Sequence, residues 1–597
     1  MNFLKNVLAS MLGTFLALVI ATLFFVILIV GLVASAGETE HVAIKDNAIL
    51  HLQLDDQIVD RASESDFNFN GSSFESTESI GLNDFIADLK HAATDEKIKG
   101  IFLEVGNIGG APSSMLDLRQ AISDFKKSGK WIIAYSENYS QGGYFIASAA
   151  NEVYLYPTGS LDWRGINAEV MFYKKLIDKL EIEAQIIRGP NNKFKSAVEP
   201  FMYDKMSEPN REQMKTFIDD IWKVMLEHIA TDRDISTAVL NSAADSLSTI
   251  NPKNAVSMKM IDGLKYRDEI MDIMKSRVES LNMSADGTDK KDELNLVSLS
   301  DYHSTYTDIS LAKESVAVVY AVGSIESGEG DDQTIGSDRI AKALKEARED
   351  ETVKAIVLRV NSPGGSALAS DVIWRETELI KKSGKPLIVS MGDYAASGGY
   401  YISCSADKIF ANPNTITGSI GVFGILPNMQ RFLDNKLGIT FDRYETNPHA
   451  DYISVNKPLE AYEMTAMQNS VTQIYDDFTL KVATGRKKTQ AEIDSIGQGR
   501  VWSGEDALTI GLVDKIGNLQ DAIAAAAEMA KLTEYQVDEL PKMIDPFEKL
   551  LTDLTGQKQA SVMQELLGES YVAYRDVKSL VNMRGPQVRL PFILKIQ

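Results

Sequence analysis

Segments of this 597-residue chain recur about 255 positions apart and in the same order, so its architecture has to be one that can be built twice. The run IKGIFLEV at 98–105 returns as VKAIVLRV at 353–360, and KKSGK at 126–130 returns unchanged at 381–385. QGGYFIAS at 141–148 matches SGGYYIS at 397–403, and YPTGSLDWRG at 156–165 matches NPNTITGSIG at 412–421. Each copy reads as one domain, the first over 38–280 and the second over 313–535, joined by a polar linker over 281–312. In the second copy, short β-branched runs (316–322, 355–360, 386–391) alternate with helical patterns over about 337–349 and 367–383. Buried strands separated by helices of that length predict parallel β-α-β units, so the fold class is α/β.

Ahead of the repeat, no charge falls between Lys5 and Glu38, and the run from Val7 to Val33 is almost wholly apolar. As a helix it would reach roughly 40 Å, more than a hydrocarbon core of about 30 Å, so residues 1–37 read as a transmembrane signal anchor. A cleaved signal peptide ending at Ala34-Ser35-Ala36 is the rival reading, but its apolar region would be shorter. Lys5 before the run and Glu38 and Glu40 after it put the N-terminus in the cytoplasm and the bulk of the chain outside it. In the last segment, 536–597, Phe547, Leu550, Leu551 and Leu554 fall on one helical face. The apolar end from Val588 to Ile596 reads as a docking strand or a disordered tail.

Composition removes other classes. Against 84 acidic side chains there are only 61 basic ones, a formal charge of −23, which argues against nucleic acid as a partner. The single cysteine, Cys404, excludes an internal disulfide, and the six histidines stand far apart with no metal-ligand spacing. No metal or cofactor is expected.

Two glycine loops could carry chemistry. Asn361-Ser362-Pro363-Gly364-Gly365-Ser366 follows a predicted strand, and paired glycines let backbone N–H groups converge on an oxyanion. Ala396-Ser397-Gly398-Gly399 also follows a strand and opens a helix, where a serine is either a helix cap or a nucleophile. The loop is not the Gly-x-Ser-x-Gly elbow, and no histidine lies nearby in sequence. A serine without histidine needs another base, and a lysine serves when burial lowers its pKa. The first copy has Gln141 where the second has Ser397, yet it holds Lys195 in KSAVEPF (195–201), where the second copy, ISVNKP (453–458), has no matching lysine. Alone, Lys195 reads as a solvated loop residue; together, the copies read as a dyad divided between two domains. Ser454-x-x-Lys457 lacks the Lys-Thr-Gly of a penicillin-binding site and reads as chance. Cys404 reads as a core residue.

KSAVEPF (195–201), NSPGGS (361–366), MGDYAASGGYYIS (391–403) and NPNTITGSIGVFG (412–424), in this order after the N-terminal span, resemble the signal peptide peptidase A (protease IV) family in its long, duplicated form. That resemblance implies tandem ClpP/crotonase-like domains, a homotetramer, and a serine-lysine peptidase that degrades cleaved signal peptides at the membrane. Carried onto matching positions, it makes Ser397 the nucleophile, Lys195 the general base, Gly365 and Gly398 the oxyanion donors, and Ser419 the residue that orients the lysine. Of Lys193 and Lys195, only the family pattern selects Lys195. Two other readings stand beside it: a membrane-anchored scaffold with dead sites, and a crotonase-type acyl-CoA enzyme.

Overall fold

In the computed structural model the residues described are 5, 10–20, 24, 44–62, 67–69, 74–76, 79–106, 108–282, 294–306, 312–544 and 586–589. Two sheets share one plan. In the first, the strands run Gly263–Leu264, Glu152–Leu155, Trp131–Ser136, Ile98–Val105, Ala48–Leu54 and Leu296–Ser298, all parallel. The second repeats this with Lys515–Ile516, Lys408–Ala411, Leu387–Ala396, Val353–Ser362, Ser315–Val322 and Gln536–Leu540, again parallel. The expected α/β class and duplication are therefore both present. Leu387–Ala396 is buried at all ten positions, as a strand covered on both faces must be.

The outermost strands were not expected. Leu296–Ser298 falls inside the stretch read as linker, and Gln536–Leu540 just beyond the end set for the second domain. Each follows a helix, Arg267–Asn282 and Leu519–Ala530, and adds to the equivalent sheet edge. They are short and mixed in character, Leu-Val-Ser with only Val297 buried and Gln-Val-Asp-Glu-Leu with no residue buried, so the apolar runs that mark the inner strands are missing.

The halves pack as one body. The first half's core takes in Tyr394, Ala396, Ile416 and Val501 of the second. Helix Pro112–Lys126 has no side-chain cap of its own; Asp393 from the second half accepts from Ser114 N at 2.8 Å and Ser114 Oγ at 2.6 Å. A carboxylate at a helix N-terminus satisfies orphan amides and complements the helix dipole. Arg359 and Asp60, both buried, pair across the same seam at 2.8 Å. A further sheet runs Thr334–Gly336, Ser324–Glu326, Gly364–Ser366, Gln587–Arg589, Phe423–Asn428 and Glu183–Arg188, so it draws on both halves and on the tail.

At the N-terminus, residues 10–20 are helical, and Met11, Leu12, Phe15, Leu16, Leu18 and Ile20 are exposed. Among the described residues no helix is long and apolar enough to cross a membrane. The rest of the expected anchor, apart from residues 5 and 24, and the helix expected around Phe547 to Leu554 lie outside the described residues.

Candidate active site

Strand Leu387–Ala396 delivers Ser397 to the start of helix Gly398–Ser403. Ser397 is fully buried, with φ +56° and ψ −110°, a conformation that costs a non-glycine residue on the order of 1–3 kcal/mol. The turn is held by Ser397 N donating to Gly418 O at 2.8 Å. Its hydroxyl makes no cap bond, whereas Ser140 caps the equivalent helix of the first half by accepting from Gly143 N. Ser397 is thus not spent as a helix cap. At the matching place, Gln141 Oε1 accepts from Gly165 N at 2.9 Å and closes the first copy's loop on itself.

Lys195 comes from the first half and is 1% exposed. Its Nζ lies 2.9 Å from Ser397 Oγ, 3.0 Å from Ser419 Oγ and 3.1 Å from Ser419 O. Both members of the expected dyad therefore meet within one chain. Phe194 N donates to Gln498 O at 3.0 Å, and Gln213 Nε2 donates to Phe194 O at 3.1 Å, so the lysine's segment is pinned on both sides. Gly499, at φ +78°, lies against the lysine stem, where an added Cβ would be 2.5 Å from Lys195 Cβ. Lys193, which sequence spacing left as a rival, is exposed, with its Nζ 4.8 Å from the Phe194 ring centre. The segment between them is not extended, so the two side chains part.

Burial, with no carboxylate beside it, pushes the Lys195 amine down to about 7. The contacts suit the neutral form. A neutral amine has two N–H donors and one lone pair; the two N–H groups are accommodated by Ser419 Oγ and O, leaving the lone pair for the Ser397 hydroxyl. Ser419 itself is fully buried at φ +50°, its N donating to Arg500 O at 2.7 Å.

The glycine loop lies against the serine turn. Gly364, at φ +97°, leaves no room for a side chain: a Cβ would stand 2.8 Å from Gly398 N and 3.0 Å from Ala396 O. Gly364 N donates to Ser362 Oγ at 3.1 Å, and that hydroxyl donates to Gly323 O at 2.7 Å. Gly364 and Gly365 both lie in strand Gly364–Ser366, where Gly365 stands opposite Ile325 on one side and Val588 on the other. The sequence marked the loop that holds Ser362 and Gly364 without giving either its own role, and it did not single out Gln213 or Gly499. Ser362 and Gly364 lie inside the quoted NSPGGS motif, whereas Gln213 and Gly499 matter only through tertiary contact. Lys457 is paired with Asp451 and Glu463, and Cys404 is buried with its thiol pushed up to about 12, so neither joins the site.

The family model for peptidase family S49 matches residues 124–280 and 380–533, one stretch in each half. The chain is also 36% identical over 600 aligned positions to "Protease 4" of Salmonella typhi, covering 96% of this chain and 95% of that protein. The chain belongs to peptidase family S49. It is 36% identical to "Protease 4" of Haemophilus influenzae, covering 85% of this chain and 83% of that one. To the chloroplastic "Serine protease SPPA" of Arabidopsis thaliana it is 29% identical, covering 86% and 74%. As an S49 member the chain is a serine peptidase, which sets aside the acyl-CoA and scaffold readings.

Proposed function

We propose that this S49 peptidase cleaves peptide bonds with a Ser397–Lys195 dyad and that its substrates are signal peptides left in or at the membrane after secretion. The observation that carries the dyad is the 2.9 Å approach of a buried lysine amine to a buried, strained serine hydroxyl that caps nothing. Neutral Lys195 takes the Ser397 proton as Oγ attacks the peptide carbonyl carbon. The oxyanion is stabilised by Gly365 and Gly398 N–H groups. The proton passes to the leaving amine as the C–N bond breaks, and water hydrolyses the ester with the same lysine as base. Ser419 holds the amine in the orientation that presents its lone pair.

Each half takes the ClpP/crotonase-like fold in this reading, supported by the six-strand order common to both. An extended apolar peptide would lie between strands Gly364–Ser366 and Phe423–Asn428 and pair by its backbone. The apolar run from Val7 to Val33 anchors the chain in the plasma membrane with the bulk outside the cytoplasm, in a homotetramer. Support for the anchor is the exposed apolar surface of residues 10–20. The test is degradation of a cleaved signal peptide embedded in vesicles that also hold the full-length protein. Fragmentation by wild type but not by Ser397→Ala supports the reading, and an intact peptide beside active hydrolysis of a soluble peptide overturns the substrate assignment.

A further inference from the structure

Strand Leu387–Ala396 does not run evenly up to Ser397. It pairs with Val353–Ser362 in regular parallel register as far as Val360 opposite Met391, and the next pair is Ser362 opposite Ala395. One residue, Asn361, therefore faces three, Gly392, Asp393 and Tyr394, in a β-bulge just ahead of the nucleophile turn. Extra residues bend a strand and increase its twist, so a bulge decides where the residues beyond it point. Asn361 also opens the glycine loop, so the hydroxyl and the amide donors of the site both lead out from this one irregularity.

The Asn361 side chain closes the bulge. Its Oδ1 accepts from Tyr394 N at 3.2 Å, and its Nδ2 donates to Asp393 Oδ2 at 3.3 Å and to Asp60 Oδ2 at 2.8 Å. Two carboxylates on one side and a backbone N–H on the other fix which way the amide is turned. Asp60 comes from the first half, and its other oxygen accepts from Arg359 Nε at 2.9 Å. Gly392 makes the room: a Cβ there would stand 2.9 Å from Asn361 Cγ, and Gly392 O accepts from Thr415 Oγ1 at 2.8 Å. On the loop side, Asn361 O accepts from Gly323 N at 2.9 Å, and Ser362, which holds Gly364 N, follows directly. The first copy lacks this device. Its strands pair without a shift from Gly100 opposite Trp131 to Glu104 opposite Tyr135. In place of Asn361 it has Gly106, where a Cβ would be 1.7 Å from Asp55 Oδ1. The copy without the serine is also without the amide staple.

We propose that Asn361 is a positioning residue: by stapling the bulge it sets Ser397 against the oxyanion loop, and Asp60 of the first copy holds the staple in orientation. This rests on the dyad reading given under the proposed function. Asn361 touches no reacting atom and acts only through the two segments that it joins. A shift of about 1 Å between nucleophile and oxyanion donors costs roughly 100-fold in rate, and it leaves the edges that pair with a peptide backbone in place. The loss therefore falls on kcat and not on KM.

The test measures kcat and KM for a soluble peptide from pH 6 to 10 with the full-length protein carrying Asn361→Ala or Gly392→Ala, beside wild type and Ser397→Ala. Asn361→Ala removes all three side-chain hydrogen bonds, whereas Gly392→Ala keeps every hydrogen-bonding group and displaces the amide. Expected in both is a kcat lower by roughly 100-fold with KM within about threefold of wild type. The acid limb should stay near 7, because Lys195 is buried by other segments. A kcat within about threefold of wild type in either variant overturns the proposal. So does a fall in kcat with the acid limb moved up toward the ordinary lysine range, which would mark a site opened to water and Asn361 as merely structural. Ser397→Ala reports on the dyad separately: activity kept there refutes the dyad, whereas activity lost there and kept in Asn361→Ala refutes the staple alone.

Discussion

Removing the Ser419 hydroxyl isolates the part of the site that aims the base. In the wild type, Lys195 Nζ has three oxygens at 2.9 to 3.1 Å, two of them on Ser419. With Ser419→Ala, one amine N–H loses its acceptor in a site where Lys195 is 1% exposed, and water is a poor substitute. A buried donor left unsatisfied costs about 1–3 kcal/mol, and the amine relieves that cost by turning an N–H toward Ser397 Oγ. The lone pair then points away from the proton it must take. If that energy appears in the barrier, kcat/KM falls roughly 5- to 150-fold. The loss of an oxygen acceptor also weakens the ammonium more than the amine, so the acid limb moves below its wild-type position near 7. The assay is kcat/KM for a soluble peptide from pH 6 to 10, with melting curves to show that the fold is kept. Because Ser419 sits at φ +50°, Ser419→Gly, which relieves strain and also lacks the hydroxyl, separates the two causes. Both variants should lose activity. An unchanged kcat/KM, an acid limb moved upward, or recovery in Ser419→Gly would refute the reasoning.

Three further outcomes follow from the geometry. Gly499→Ala places a Cβ 2.5 Å from Lys195 Cβ at φ +78°, so kcat should drop at least tenfold at every pH with KM little changed, as steady-state kinetics will show. Lys193→Ala should leave turnover within about twofold, since its side chain is exposed and turned from the serine, and the same assay reads it. Asp117, at the seam between the halves, is pushed up to about 7 by burial against an ordinary value of 3.8. Between those values the folded chain holds a proton that the unfolded chain has lost, so this group lowers stability as pH rises from 4 to 7, by up to about 4 kcal/mol. Asp117→Asn, which can still accept from Asn412 Nδ2, should therefore raise the melting temperature at pH 8 and have little effect near pH 4.

The repeat made much of the fold legible, because the apolar runs at 98–105 and 353–360 and the identical KKSGK segments mark equivalent strands and helix ends without any alignment. The division of the dyad was legible for the same reason: Gln141 stands where the second copy has Ser397, and Lys195 has no matching lysine near 453–458. Leu296–Ser298 was not legible, since a strand of three residues at a sheet edge, with Val297 alone buried, is too short to show an apolar period. Spacing alone did not choose between Lys193 and Lys195, which the family pattern did, because the choice turns on a bend before the short helix Ser196–Val198. The capping of helix Pro112–Lys126 by Asp393 joins residues far apart in the chain, and local propensity says nothing of it. The same holds for Gly499 and Gln213, whose roles arise only once the two halves have closed on the lysine.

The central claim is that one serine and one neutral lysine, from opposite copies of a duplicated domain, form a single catalytic site. Its most direct test is kcat/KM against pH for the wild-type protein beside Ser397→Ala and Lys195→Ala. The account predicts activity rising through an inflection near pH 7 to an alkaline plateau, and loss of at least 1,000-fold in both variants with the fold retained. Activity above about 1% in either variant, or a wild-type profile that falls as pH rises from 6 to 8, would contradict it.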